Sequence, residues 1–437
     1  MKKFIAVIAL VAASTYSFAQ DVDRLIQQND VERIIKTLSA DDMQGRATFS
    51  PGIEKAAKFI ENEYRTIGLK PMDGNSGFRQ NFTMVKTVGV KTDVTINGVK
   101  ISADSVAIMA NTPFNWTSMA DAEVSIVPSD VDFQAAYRKY TSSGKKQLVI
   151  VDSKFAPFFK RLQAFSRGGR AVFKDTPVKP QTPVVYILGK MDAIKSYSVN
   201  YETKTEELPL FNVAGIIPGK TKPDEFVIFS GHYDHLGILT GSNVMQGDSI
   251  ANGADDDASG TTAVITLAKY FKRLNNNART LIFVAFTAEE IGEYGSAYFA
   301  KTIVPEKVIA MFNIEMIGKA SKWGQNAALI TGFERSDFGP ILQKNLEGTA
   351  FKFYPDPYTD QNLFYRSDNA SLARVGVPAH TISTDQIDSD KLYHTVKDEF
   401  SSLDAANITS TIKAIALSSR TIVSGQDTPT RVAKMDR

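Results

Sequence analysis

From about Leu208 onward four continuous apolar runs read as buried strands: Phe226–Ser230, Thr280–Phe286, Lys307–Asn313 and Val377–Ile382. Between the first two lies a helical pattern, about Ser259 to Leu274, with Val264, Leu267, Ala268 and Phe271 on one face. Strands alternating with helices imply an α/β fold with a mostly parallel central sheet and helices on both of its faces. In such sheets ligands bind in the crevice beyond the carboxyl ends of the strands. That edge is where chemistry should be sought.

Each run leads into a polar cluster. Gly231-His232-Tyr233-Asp234-His235 follows the first, Thr287-Ala288-Glu289-Glu290 the second and Glu315 the third, while Tyr393-His394-Thr395 comes one loop after the fourth. Gly253-Ala254-Asp255-Asp256-Asp257-Ala258-Ser259-Gly260 stands just before the helix. Singly these signals are weak. A His-x-Asp is usually an ordinary hydrogen-bonded pair, and aspartates before a helix most often serve its N-cap and dipole. A Glu-Glu pair is usually solvated, and a lone glutamate in an apolar run can be a paired core carboxylate. Their coincidence on one sheet edge points to metal. Zinc takes imidazole nitrogen and carboxylate oxygen, and a catalytic zinc keeps a position open. Two metals roughly 3.5–4 Å apart need a bridging carboxylate and further ligands on each side. Two histidines, a bridging aspartate and two more carboxylates supply that set and leave one glutamate as general base. Of the neighbours Glu289 and Glu290, one ligates and the other handles the proton. The histidines are at 232, 235, 380 and 394, and the spacing of His235 permits ligation in place of His232.

The first 19 residues read as a signal peptide: Lys2 and Lys3, an apolar run from Phe4 to Ala13, then Ser17-Phe18-Ala19 with cleavage after Ala19. The run is too short to span a bilayer, so the expectation is export to the periplasm or the extracellular medium without a membrane span. A chain lacking its first 19 residues keeps 418, with 48 basic and 48 acidic side chains. That balance argues against nucleic acid or a membrane surface as the main partner. The absence of cysteine excludes disulfides, thiolate ligands and a lipoprotein anchor. Helices are expected over Val22–Leu38 and Gly52–Ile67, the latter ending at Gly68. Residues 20–82 and 208–437 form the main domain, with a mostly β insertion over 83–207. Within it Val94, Ile96, Val99 and Ile101 alternate about Asn97-Gly98, a hairpin signal, and Leu148–Val151 and Val184–Leu188 read as strands. The alternative for this segment is a set of edge strands on the main domain.

The stretches Ser230-Gly231-His232-Tyr233-Asp234, Gly253 to Gly260, Ala288-Glu289-Glu290, Asn313-Ile314-Glu315-Met316-Ile317-Gly318 and Tyr393-His394-Thr395 occur in that order. In content and order they resemble the co-catalytic zinc aminopeptidases, the family of bacterial leucyl aminopeptidases and, more distantly, glutaminyl cyclases. With Ser367-Asp368 the likeness covers roughly residues 208 to 400, the aspartate run being its most specific motif. The 83–207 insertion resembles a protease-associated domain and is read as a surface for substrate or a protein partner. The resemblance implies two zinc ions per chain. Asp256 bridges them, Glu290 and His394 complete one site, and His232 and Glu315 complete the other. Glu289 is the general base, moving a proton from the water between the metals to the leaving amine. Asp234 orients His232, Tyr393 donates to the developing oxyanion, and the Asp256–Asp257 peptide is cis. Two positions depart from the family: many members have aspartate in place of Glu315 and histidine in place of Asn369. The reading is an exported zinc exopeptidase, a hydrolase that removes N-terminal residues from peptides. The alternatives are a cyclase-type acyl transfer with one zinc, a non-enzymatic receptor on the same fold, which should have lost ligands or base that this chain keeps, and a carboxypeptidase using Arg366.

Overall fold

The computed structural model describes residues 22–191 and 193–435, so the expected signal peptide lies outside the described residues. The chain forms two compact units, one made of the residues up to Asn81 together with Leu210–Arg437, the other of Phe82–Pro209. It passes between them within two long strands, Arg79–Ile96 and Tyr197–Ile217.

In the first unit we label the helices α1 (Gln28–Leu38), α2 (Pro51–Ile67), α3 (Gly260–Leu274), α4 (Tyr294–Thr302), α5 (Phe338–Asn345), α6 (Asn369–Ala373) and α7 (Ala405–Ser418). The strands are β1 (Tyr197–Ile217, which enters this unit at Leu210), β2 (Lys222–His232), β3 (Arg279–Phe286), β4 (Val308–Ile314), β5 (Ala327–Ile330), β6 (Lys352–Pro355) and β7 (Ala379–Ser383). Local chemistry sets the ends of α2. Ser50 caps its start by accepting from the Ile53 amide, and Gly68 ends it at φ 81°, a conformation that costs glycine nothing.

The strands lie in the order β6-β5-β7-β4-β2-β3-β1. The expected mostly parallel sheet is instead mixed. β3, β2, β4 and β7 are mutually parallel, whereas β1 pairs antiparallel with β3 and β5 antiparallel with β7. Apolar runs buried on both faces carry no mark of direction, so the outer strands were not orientable from composition. Burial on both faces is visible in the alternation. Leu281, Phe283 and Ala285 of β3 join one core, and Ile282, Val284 and Phe286 join the other. The first core is closed by α1, α2, α3 and α7, and its centre is Phe229, whose ring lies 4.9–5.4 Å from those of Phe271, Phe283 and Phe312. The second is closed by α4 and α6. The registers Ser230↔Val284, Ser230↔Asn313 and Asn313↔Thr381 align the carboxyl ends of the four parallel strands, so the residues just beyond them meet at one edge.

Expected to be mainly β, the second unit also holds two helices, Phe133–Thr141 and Ala156–Gly168, beside a sheet ordered Val106–Met109, Val184–Leu188, Gln147–Val151, Glu123–Val127. Three of those strands are parallel, which requires crossover connections and so the helices. The Asn97-Gly98 turn joins Ile96 to Val99 with φ of 50° and 78°, the positive pair that a two-residue hairpin favours. Among the described residues no helix is long and apolar enough to cross a membrane.

Candidate active site

His232 is the last residue of β2, and its amide donates to Asp257 Oδ2 at 3.1 Å. Asp257 Oδ1 also accepts from the amides of Gly260 and Met316, at 3.0 and 3.1 Å. Asp255 Oδ1 accepts from the Gly318 amide, and its Oδ2 lies 3.1 Å from Lys319 Nζ. Two of the three aspartates therefore fasten strand ends to α3, and only Asp256 presents its carboxylate to the histidines. The Asp256–Asp257 peptide is cis. Gly260 is required by close approach: a Cβ there would stand 2.0 Å from the Ile314 carbonyl oxygen.

Around Asp256 the residues gather closely. His232 Nε2 is 3.1 Å from Asp256 Oδ1, and His394 Nε2 is 3.3 Å from Asp256 Oδ2 and 3.1 Å from Glu290 Oε2. Ligand atoms of His232, Asp256 and Glu315 lie within 4.8 Å of one another, as do those of His235, Asp256 and Glu290. The two groups share Asp256. His232 Nδ1 stands 3.1 Å from the Asp234 carbonyl oxygen, which only accepts, so Nδ1 carries the proton. Nε2 then turns a lone pair toward the Asp256 carboxylate. Two acceptors face to face, with Glu315 Oε2 enclosed and unpartnered nearby, make an arrangement that a divalent cation resolves. The donor set suits such an ion.

Charge supports the same conclusion. Burial would push the Asp256 carboxyl up, but the imidazoles of His232, His394 and His235 gathered around it hold it well below the usual range. Burial drives Glu289 well above the usual range against the pull of His232, with Glu315 and Asp368 pushing the same way. Burial also raises Glu315 to about 7, opposed by His232 and assisted by Asp256. Carboxyls crowded in this way are a latent cation site.

Several positions differ in detail from the sequence reading. Asp234 meets the His232 ring with its main-chain oxygen, while its carboxylate sits 3.7 Å away. That carboxylate instead accepts the amides of Glu289 (3.1 Å) and Glu290 (3.3 Å) and the Thr48 hydroxyl (3.0 Å). His235 is not a substitute for His232. Its Nδ1 lies 2.7 Å from Glu290 Oε1 on the opposite side of Asp256, in the corner that His394 also reaches. The Glu289 carboxylate is 4.0 Å from His232 Nε2, and Tyr393 is 44% exposed at the mouth of the site. Asn369 is fully buried: its amide donates to the carbonyls of Phe364 and Ala379 and accepts from Thr381, so it braces β7. His380 is a core residue stacked 4.7 Å from Phe338. The profile of peptidase family M28 matches residues 212–418. This chain carries a peptidase family M28 domain.

Two fungal proteins illustrate the likeness of this M28 domain and its flanks. A probable zinc metalloprotease of Pyricularia oryzae is 36% identical over 112 residues, 25% of this chain and 21% of that protein's length. Leucine aminopeptidase 1 of Ajellomyces capsulatus is 27% identical over 297 residues, 63% of this chain and 71% of the relative. The fold matches the solved structure of an aminopeptidase from Aneurinibacillus sp. strain AM-1 with a TM-score of 0.54 at 16% identity, covering 95% of this chain and 97% of that one.

Two supports of the M28 site gave no sequence signal. Asp398 accepts the amides of Asp255 (2.9 Å) and Asp256 (3.0 Å). Arg46, fully buried, donates to the carbonyls of Leu38, Tyr233, Asn252 and Gly253. Their partners are main-chain atoms distant in sequence, and no motif encodes such contacts.

Proposed function

We propose that this protein is an exported zinc-dependent exopeptidase that releases N-terminal residues from peptides. The observation that carries the reading is the pair of histidine–carboxylate groups joined through Asp256. With His394, which reaches both Asp256 and Glu290, two ions fit: His232 and Glu315 would hold one, Glu290 and His394 the other, and Asp256 both. His235 backs the Glu290 corner. Zinc bound there supplies Lewis acidity to the scissile carbonyl and to an attacking water. Glu289 takes one proton from that water as its oxygen bonds to the carbonyl carbon, then delivers it to the leaving nitrogen as the C–N bond breaks. The Tyr393 hydroxyl donates to the carbonyl oxygen as it gains charge. Carboxylates not saturated by metal favour the substrate ammonium, and an acetylated amine leaves them desolvated and unpaired. Export rests on the basic, apolar and small-residue pattern ending at Ala19, and the 83–207 insertion is proposed as a separate module contacting substrate or a partner.

One observation favours a second reading. Arg366 lines the cavity that also holds Glu315 and Tyr393, where a guanidinium suits a substrate carboxylate. A dipeptide series free at both ends, N-acetylated or C-amidated separates the two. The aminopeptidase reading expects acetylation to abolish cleavage and amidation to be tolerated. The reverse result assigns a carboxypeptidase and makes Arg366 the residue to mutate.

A further inference from the structure

We infer that the cavity beside Glu315 and Tyr393 receives the side chain of the substrate's N-terminal residue, and that Asp385 makes it select lysine or arginine. The inference rests on the aminopeptidase reading above. The cavity measures about 200 Å³, larger than the roughly 150 Å³ that admits a benzene-sized guest. Its apolar wall includes Met316, Leu329, Leu363 and Ile387, which suits an aliphatic stem.

Most of the buried polar groups lining it are already committed. Ser383 Oγ donates to the Met316 carbonyl, and Thr381 Oγ1 donates to Asn369 Oδ1. Ser367 Oγ accepts from Asn313, and Thr331 Oγ1 accepts from the Thr381 amide. Asp385 differs. It is 8% exposed, and although its carboxyl pairs with Asp390 and the Gln386 backbone, its Oδ1 is enclosed without a hydrogen-bond partner. The ammonium nearest in charge terms, Lys319, is divided between Asp255 at 3.1 Å and Asp390 at 2.7 Å. Three carboxylates thus share one cation. Burial, with Asp255 and Asp390, pushes the Asp385 carboxyl up to about 7 against Lys319, and an added cation would restore its charged form. Arg366 also lines the cavity, but it is exposed and donates to Gln361 Oε1 at a long 3.4 Å. Solvent screens its charge far more than that of buried Asp385.

The test compares lysyl and norleucyl p-nitroanilides on the zinc-loaded enzyme. The two share one stem and differ in a terminal ammonium against a methyl. We expect kcat/KM to favour lysine by at least about 10-fold, the worth of one charge-assisted hydrogen bond in a buried pocket. Asp385→Asn should bring the ratio close to one. Because the readout is a ratio, a general loss of folded or active protein cancels. Equal or better cleavage of the norleucyl substrate by the unmodified enzyme overturns the inference, as does a ratio that survives Asp385→Asn. If neither anilide is cleaved while N-blocked peptides are, the aminopeptidase reading fails instead. Calorimetric binding of lysine amide against norleucine amide then decides the cavity's preference without turnover, and equal affinities reject it.

Discussion

Asp234→Asn is the most informative single substitution, because it keeps shape and changes only charge and donor pattern. The carboxylate of Asp234 is fully buried and accepts from the amides of Glu289 and Glu290 and from Thr48. In the asparagine the carbamoyl oxygen can still serve one amide. The –NH2 must face the other, leaving a buried N–H unpaired and turning a charged hydrogen bond into a neutral one. The first change costs about 2 kcal/mol and the second about 1 kcal/mol. Against this, burial together with Glu290 already raises the Asp234 pKa in opposition to His232, so removing the charge returns part of a desolvation penalty. The net expectation is a loss of about 2 kcal/mol. It falls on the segment that presents Glu289, so turnover should drop by about 10- to 100-fold, as small misplacements of catalytic groups do. Urea titration of the metal-loaded protein measures the first effect, and kcat with zinc content measures the second. A variant with unchanged midpoint and kcat would show that the carboxylate does not hold this segment.

Further outcomes follow from the same geometry. Glu289→Gln should keep its metal and lose at least about 10²-fold in turnover, since an amide cannot take the proton, whereas Glu290→Ala should lose metal. Opposite behaviour of the pair reverses their roles. Metal analysis should find about two zinc ions per chain, with chelation abolishing activity and lowering stability as the carboxylates are left facing one another; full activity with one ion points to the cyclase-type alternative. His380 gives a pH signature. Burial depresses its pKa from 6.5 to about 4, opposed by the bond to the Thr331 carbonyl. The unfolded chain therefore binds the proton first, and stability should fall as pH drops from about 6.5 to 4, by up to about 3 kcal/mol. Denaturation curves of His380→Asn should lose that part of the slope. Residues 82 and 209 lie inside continuous strands rather than exposed linkers, so limited proteolysis should cut loops before these crossings, and first cuts at 82 and 209 would refute that.

Much of the site is legible in the sequence because two ligand-type residues follow strands whose apolar runs are unmistakable, His232 after Val227–Phe229 and Glu315 after Ala310–Ile314, and Asp256 stands in a run of aspartates before a helix. What escaped has physical causes. The outer strands pair antiparallel because connection geometry, not composition, orients them. The helices Phe133–Thr141 and Ala156–Gly168 are short and bury few side chains, Phe133 in the first and Phe159, Leu162 and Gln163 in the second. In the sequence His235 reads only as a rival of His232, since spacing along one loop cannot tell which side of Asp256 each ring takes. Asn369 stands where many relatives have histidine, and only its hydrogen bonds reveal a brace for β7.

The contacts of Arg46 have a consequence for how the molecule is made. Its guanidinium meets one carbonyl eight residues back, at Leu38, but the others lie 187, 206 and 207 positions ahead. At roughly 5–20 residues per second, a ribosome needs about 10 to 40 s to supply those later partners. In that interval α1 and α2 carry apolar faces, Ile34 and Ile60 among them, whose covering residues in α3 and α7 do not yet exist. All of Phe82–Pro209 emerges before the first unit can close. The nascent chain therefore carries an unfinished half-core together with a segment that has its own compact contacts, and synthesis of His394 and Asp398 sets the earliest moment at which the site can assemble.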